Sequence, residues 1–169
     1  STHIQIMQPF QTIDDFDNIT DNSDSIEFWN KAYESTNHKP LNKYHTVTLD
    51  ELQNSFTKYN KRVFQNNTKW FMKLARVISP IPAFKPINIH VKDLDIIIEL
   101  DIFCDAINAS QEGADISMQS ESLQFILNNT FGFDTLTVNG CFEEVRHGGF
   151  SRASRTLAIE NLNNMGIKF

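Results

Sequence analysis

The chain has 169 residues, enough to bury roughly 70% of the surface its unfolded form exposes and to support one self-sufficient core. With 15 basic and 21 acidic residues, a formal charge of −6 and no arginine-rich run or basic stripe, nucleic acid is not an expected partner. Apolar runs such as Ile96-Ile97-Ile98 fall far short of the roughly 20 residues that a membrane-spanning helix needs, and Cys104 and Cys141 are too few for a disulfide framework.

No signal peptide is legible, so the two thiols are expected to be reduced in a cytoplasmic protein. The chain opens Ser-Thr and then IQIMQPF, which reads as an excised fragment or a tag scar. Residues 1–24 are expected to be an extension or linker, because DDFDNITDNSDS is acidic and poor in apolar anchors. Residues 25–169 are expected to form a single domain, helical over 25–80 and a sheet with helices over 85–169.

IEFWNKAYES predicts a short helix with Ile26, Trp29 and Tyr33 on one side, followed by a break around Pro40. TLDE at 48–51 fits a capping box, in which the Thr48 hydroxyl and the Glu51 carboxylate each satisfy the other's backbone amide. Leu49, Leu52, Phe56, Tyr59, Val63, Trp70, Leu74 and Val77 then recur at threes and fours as one apolar stripe. That stripe belongs to one helix or to two, with Asn66-Asn67-Thr68 the weak point and Pro80 and Pro82 the stop.

From Ile87 the period becomes two. Ile87, Ile89 and Val91 form one strand, Asp93-Leu94-Asp95 a turn, and Ile96, Ile98, Leu100 and Ile102 the face of a second strand. GADISM is a third strand, and Ser120 a cap for a short helix burying Leu123, Ile126 and Leu127 with Phe125 beside them. FGFDTLTVNG at 131–140 alternates Leu136 and Val138 against Thr135 and Thr137, which predicts a fourth strand. Asn139 and Gly140 would then make a structural turn into CFEEV, because both tolerate positive φ. SRASRTLAIENLNNM closes as one helix with Leu157 and Leu162 inward and Gly166 past its end. The sum is an α+β fold, a mostly antiparallel sheet covered by helices with a helical N-terminal part.

Motifs with a chemical mechanism are scarce. The five histidines (His3, His38, His45, His90 and His147) show no i, i+4 or H-x-H spacing, so no metal and no cofactor are expected in this chain. Glu99 and Asp101 share a strand face, the arrangement of an acid/base pair and equally of any solvated strand. HGGF at 147–150 lacks the nucleophile elbow that would make it an oxyanion loop, and Cys141 has no basic neighbour before Arg146 and His147. No catalytic residue is therefore assigned. Fourteen phenylalanines, several of them around 125–150, either fill a core or wall an apolar pocket.

SESLQFILNN followed by GFDTLTVNG resembles the C-terminal region of certain bacterial metallo-β-lactamase-fold hydrolases, where a Trp-Gly-Phe-Asp-Thr-Leu-x-Val-Asn-Gly-Arg-Phe run recurs. The order of elements around it is similar to the later half of the sterol carrier protein type two fold. The likeness covers residues 115–142 and fades over 85–105. Phe131 stands where the run has Trp and Cys141 where it has Arg.

The resemblance implies a sterol-carrier-protein-like accessory domain. It would not itself be an enzyme, it would pack on an upstream metallo-hydrolase domain of the same polypeptide, and it would bind or present a hydrophobic, lipid-like molecule. The zinc motif of the hydrolase is absent from this chain, and IQIMQPFQTID would be the last strand of the preceding domain. The pocket candidates on this reading are Leu123, Phe125, Ile126, Phe131, Phe133 and Phe142. The alternatives are a stand-alone lipid-binding module, or an enzyme using Asp134, Asp101 or Glu99.

Overall fold

The structure is a computed structural model, and it describes residues 23–37, 44–78 and 83–169. The expectations for IQIMQPFQTID, the breaks at Pro40, Pro80 and Pro82, and His3 and His38 lie outside the described residues. The chain divides into two units, Ser1–Lys43 and Tyr44–Phe169. In the first, α1 (Ser23–Asn37) carries a Phe28–Trp29 edge contact and an exposed Lys31–Glu27 ion pair one turn apart.

In the second unit α2 (Leu49–Asn66) starts where the capping box predicts. The Thr48 hydroxyl accepts from the Glu51 amide at 3.3 Å and the Glu51 carboxylate accepts from the Thr48 amide at 2.9 Å. These bonds to the Thr48 amide and then its hydroxyl hold the Glu51 carboxyl below its ordinary value of 4.5. A depressed folded pKa supplies stability above the unfolded value and loses it as the pH falls through the folded one. Glu51→Gln should therefore lower stability at neutral pH and leave it nearly unchanged at acid pH, where the wild-type carboxyl is protonated, which flattens the stability-against-pH curve read by urea unfolding at several pH values.

The helix ends at Asn67, and α3 (Lys69–Ile78) is a separate helix. Leu52, Phe56, Tyr59 and Val63 of the expected stripe are buried, but Trp70, Leu74 and Val77 are exposed and Met72 takes the inward position instead. The break at Asn67 resets the helical phase, so the stripe does not carry across it.

The sheet has the order β3-β2-β1-β4-β5. β1 (Ile87–Val91) and β2 (Ile96–Leu100) form an antiparallel hairpin across the turn at 92–95, and β3 (Asn108–Ala109) pairs antiparallel with β2. β4 (Ile116–Met118) lies parallel to β1, the one parallel pairing, and β5 (Phe142–Glu144) is antiparallel to β4. The described residues thus form seven helices and a mostly antiparallel five-stranded sheet, an α+β fold.

α4 (Ser120–Asn128) packs on α2, α6 (Gly149–Leu157) on β1 and β4, and α7 (Ile159–Asn164) on α2 and α6. Ser120 is the first residue of α4 and not its cap. Its hydroxyl is already committed, donating to Asp93 and accepting from the Val47 amide at 2.7 Å.

The expected fourth strand is a helix, α5 (Gly132–Asn139). Phe133 and Leu136, three apart, turn to the core while Val138 is 87% exposed, so the two-residue alternation of Leu136 and Val138 has no physical counterpart. Thr135 and Thr137 are tolerated because each hydroxyl donates to the carbonyl four residues back, Phe131 and Phe133. Gly140 at φ +63 ends the helix. Its amide reaches the Thr137 carbonyl and the Cys141 amide reaches that of Leu136, the two bonds of a Schellman motif and not of a hairpin. Gly140→Val should cost more than about 1 kcal/mol from backbone strain. The cost is conformational only, since a Cβ at Gly140 meets nothing within 4 Å. Urea denaturation of the variant checks it.

The expected closing helix is also two, with the break at Ala158 between α6 and α7.

Candidate functional site

A cleft of about 430 Å³ opens beside α6 and α7, within the size range of small-molecule sites. Its walls are Phe84, Ala158, Ile159, Leu162, Met165 and Phe169, and its polar groups are Asp134, Ser154, Arg155 and Asn161. Phe84 and Phe169 meet edge to face at 5.4 Å.

Phe84 is buried with φ +56, a conformation that a bulky residue adopts only when its surroundings impose it. Here its amide donates to the Arg155 carbonyl and the Thr156 hydroxyl donates to the Lys85 carbonyl at 2.8 Å, so α6 grips the strained segment from both sides. Phe169 is fixed from the other direction. Its amide donates to the Asn67 side chain at 3.0 Å and its carbonyl accepts from the Thr68 amide. Asn67 exchanges two amide hydrogen bonds with Asn163 of α7. The α2–α3 joint, α7 and the aromatic wall of the cleft are one hydrogen-bonded unit. Neither Asp134 nor Arg155 enters an ion pair among the described residues, so both charges remain free for a ligand.

The six pocket candidates lie elsewhere. Leu123, Ile126 and Phe133 are core residues, and Phe133 stacks with Phe142 and Phe150 at ring separations near 6 Å. Phe125 and Phe131 are exposed, and none of the six lines the cleft. Of the three candidate carboxylates only Asp134 does. Asp101 is held by a two-pronged hydrogen bond from Arg76, at 3.0 and 3.1 Å, and accepts from the Phe103 amide. Asn139 and Gly140 sit at the end of α5.

Phe84, Arg155, Met165 and Phe169 are the site residues that sequence reasoning missed. Phe84 and the 155–169 stretch are joined only by tertiary contacts, and no spacing in the chain links them.

Other charged clusters are structural. Asp115 is fully buried, accepts from the Asn88 amide at 3.0 Å and draws Arg146 and Arg152 to 3.6 Å each. Cys141 borders a shallow recess of about 200 Å³ with Tyr44, Lys92 and Glu143, the last two ion-paired at 2.8 Å. Partial desolvation first, then the charges of Asp101 and Glu99, push the thiol of the exposed Cys104 up, away from a reactive thiolate. Among the described residues no group of three or more His, Cys, Asp or Glu side chains is placed to hold a metal, and no helix is long and apolar enough to cross a membrane. Compared with protein-family models, curated proteins and solved structures, the chain matches none.

Proposed function

We propose that the chain is a non-catalytic binding module for a small hydrophobic or amphiphilic molecule, which it holds in the cleft between Phe84, α6, α7 and Phe169. The observation that carries this reading is an apolar cleft of ligand size whose aromatic wall is kept in a strained conformation, with Arg155 and Asp134 available for a polar end group. Strain maintained beside a cavity is a common mark of a ligand site. The resemblance over 115–142 supports the wider reading, in which this module accompanies a metallo-hydrolase domain and presents an apolar molecule to it. An enzyme working through carboxylates gains less support, since Asp101 is occupied by Arg76.

The purified protein should bind an environment-sensitive apolar dye that long-chain fatty acids displace. Ala158→Phe, which fills the cleft, should weaken binding by roughly tenfold or more, equivalent to about 1.4 kcal/mol. Phe125→Asp, on an exposed position outside the cleft, should leave it unchanged. A wild-type protein that binds no dye, or an Ala158→Phe variant that binds it normally, would remove the proposal.

A further inference from the structure

We infer that the outward face of α3 is a docking surface for an anionic phospholipid bilayer. This goes beyond the cleft reading and does not rest on it.

α3 is amphipathic in the reverse sense. Its inward side is Met72, Ala75 and Arg76, with Arg76 locked to Asp101. Its outward side is Trp70, Leu74, Val77 and Ile78, which span roughly 100° of the helix at 3.6 residues per turn. Trp70 and Ile78 are each 69% exposed and Val77 81%. Such a patch, on a helix held inward by Met72 and the Arg76–Asp101 pair, is the kind of exposed apolar surface that marks an interaction site.

Charge selects the occupant. Residues 52–92 contain eight of the 15 basic residues and none of the 21 acidic ones; Arg62, Arg76 and Lys92 are ion-paired with Glu160, Asp101 and Glu143, which leaves the other lysines of this stretch, two of them on α3, as its surplus cations. Lys69 and Lys73 lie on the flank of the apolar arc, exposed and without a carboxylate partner among the described residues. Their ammonium groups lie over the rings of Phe64 and Phe103, which hold them at the edge of the arc. Phe71 extends the surface towards Phe169, whose neighbour Lys168 adds a third exposed cation.

A convex arc of aliphatic groups and one indole, with lysines along its margin, matches the boundary between headgroups and acyl chains. There the indole and aliphatics enter the apolar side and the ammonium groups meet phosphates. Leu74, Val77 and Ile78 offer nothing to the phosphates or base edges of a nucleic acid.

The test is co-flotation with vesicles of phosphatidylcholine doped with phosphatidylserine at low salt, with tryptophan emission followed in parallel. The expected result is association, a blue shift that Trp70→Phe removes, and weakening as salt rises. Trp70→Ser with Val77→Ser, both highly exposed and so tolerated by the fold, should abolish association. Lys69→Glu with Lys73→Glu should weaken it by roughly tenfold or more, because each basic residue beside an anionic surface adds to the attraction. Thermal melts of each variant confirm folding.

Several results would overturn the assignment. These are no association of the wild type, equal association with pure phosphatidylcholine, or retention by the Trp70→Ser, Val77→Ser variant. Binding to a single-stranded oligonucleotide in place of vesicles would also overturn it. The cleft-filled Ala158→Phe variant should still float. Its loss from vesicles would make the cleft the lipid contact and remove the role of α3.

Discussion

Gly149→Ala should be the most damaging single-methyl change in the protein, costing more than about 3 kcal/mol and leaving little cooperatively folded material at moderate temperature. A Cβ at Gly149 would stand 2.1 Å from the carbonyl oxygen of Asp115 and 2.7 Å from its carbonyl carbon. Both atoms are backbone, so no rotamer change relieves the clash. The same carbonyl accepts from the Val145 and Arg146 amides, so moving it breaks the turn that leads into α6. Gly113→Ala is the matched control, because its Cβ meets only the tip of the Arg146 side chain at 3.2 Å. Circular-dichroism melts of the two variants decide the matter. A Gly149→Ala protein that melts with the Gly113→Ala control would contradict the close approach of α6 to β4.

Arg62→Met should cost about 3 kcal/mol, the scale for stranding a buried charge. The Arg62 guanidinium donates to both oxygens of Glu160 at 2.9 and 3.0 Å and to the Leu127 carbonyl at 2.8 Å, tying α2 to α7 and to the end of α4. Glu160 is almost wholly buried, and its hydrogen bonds push the Arg62 pKa up from an already high value. Removing Arg62 leaves a carboxylate in the interior beside Tyr59, whose hydroxyl is engaged by the Leu157 carbonyl at 3.2 Å. Adding Glu160→Leu should recover most of the loss, because an apolar pair of similar volume needs no compensating charge. Since α7 forms one wall of the cleft, the single variant should also lose dye binding before it unfolds. Urea titration and dye titration on the same samples separate the two effects.

The parts of the fold governed by local chemistry were legible in the chain. TLDE announces the start of α2 because both halves of its capping box lie within four residues, and Ile87 to Leu100 announces a hairpin because its alternation and turn are contiguous. Residues 132–139 were misread because β-branched threonines and alternating Leu136 and Val138 imitate a strand. What decides that segment is non-local. Gly132 lies against the backbone of Ile126, where a Cβ would come within 2.6 Å of its Cα, and Phe133 stacks on Phe142. The competing sequence signal was present in the Phe133–Leu136 spacing with Gly140 four residues on, the end of a short helix. The concentration of basic residues at 52–92 was not read from the sequence. It is diluted along 41 residues and forms no run, so whole-chain net charge hides it.

The candidate site was not legible. The six predicted pocket residues follow the density of aromatics in the chain, whereas the cleft is assembled from positions 83–84, 134 and 154–169, which only the packing of α6 and α7 brings together. A phenylalanine at φ +56 leaves no mark in composition or periodicity.

The two outermost strands are short: β3 has two residues and β5 three, and the exposed positions of β5 are Glu143 and Glu144. A sheet recruits a neighbouring chain through a long, flat border of unpaired amides and carbonyls, and these borders supply too few such groups and set carboxylates along one of them. The molecule is thereby protected against growing by strand addition, as in fibrils or swapped dimers.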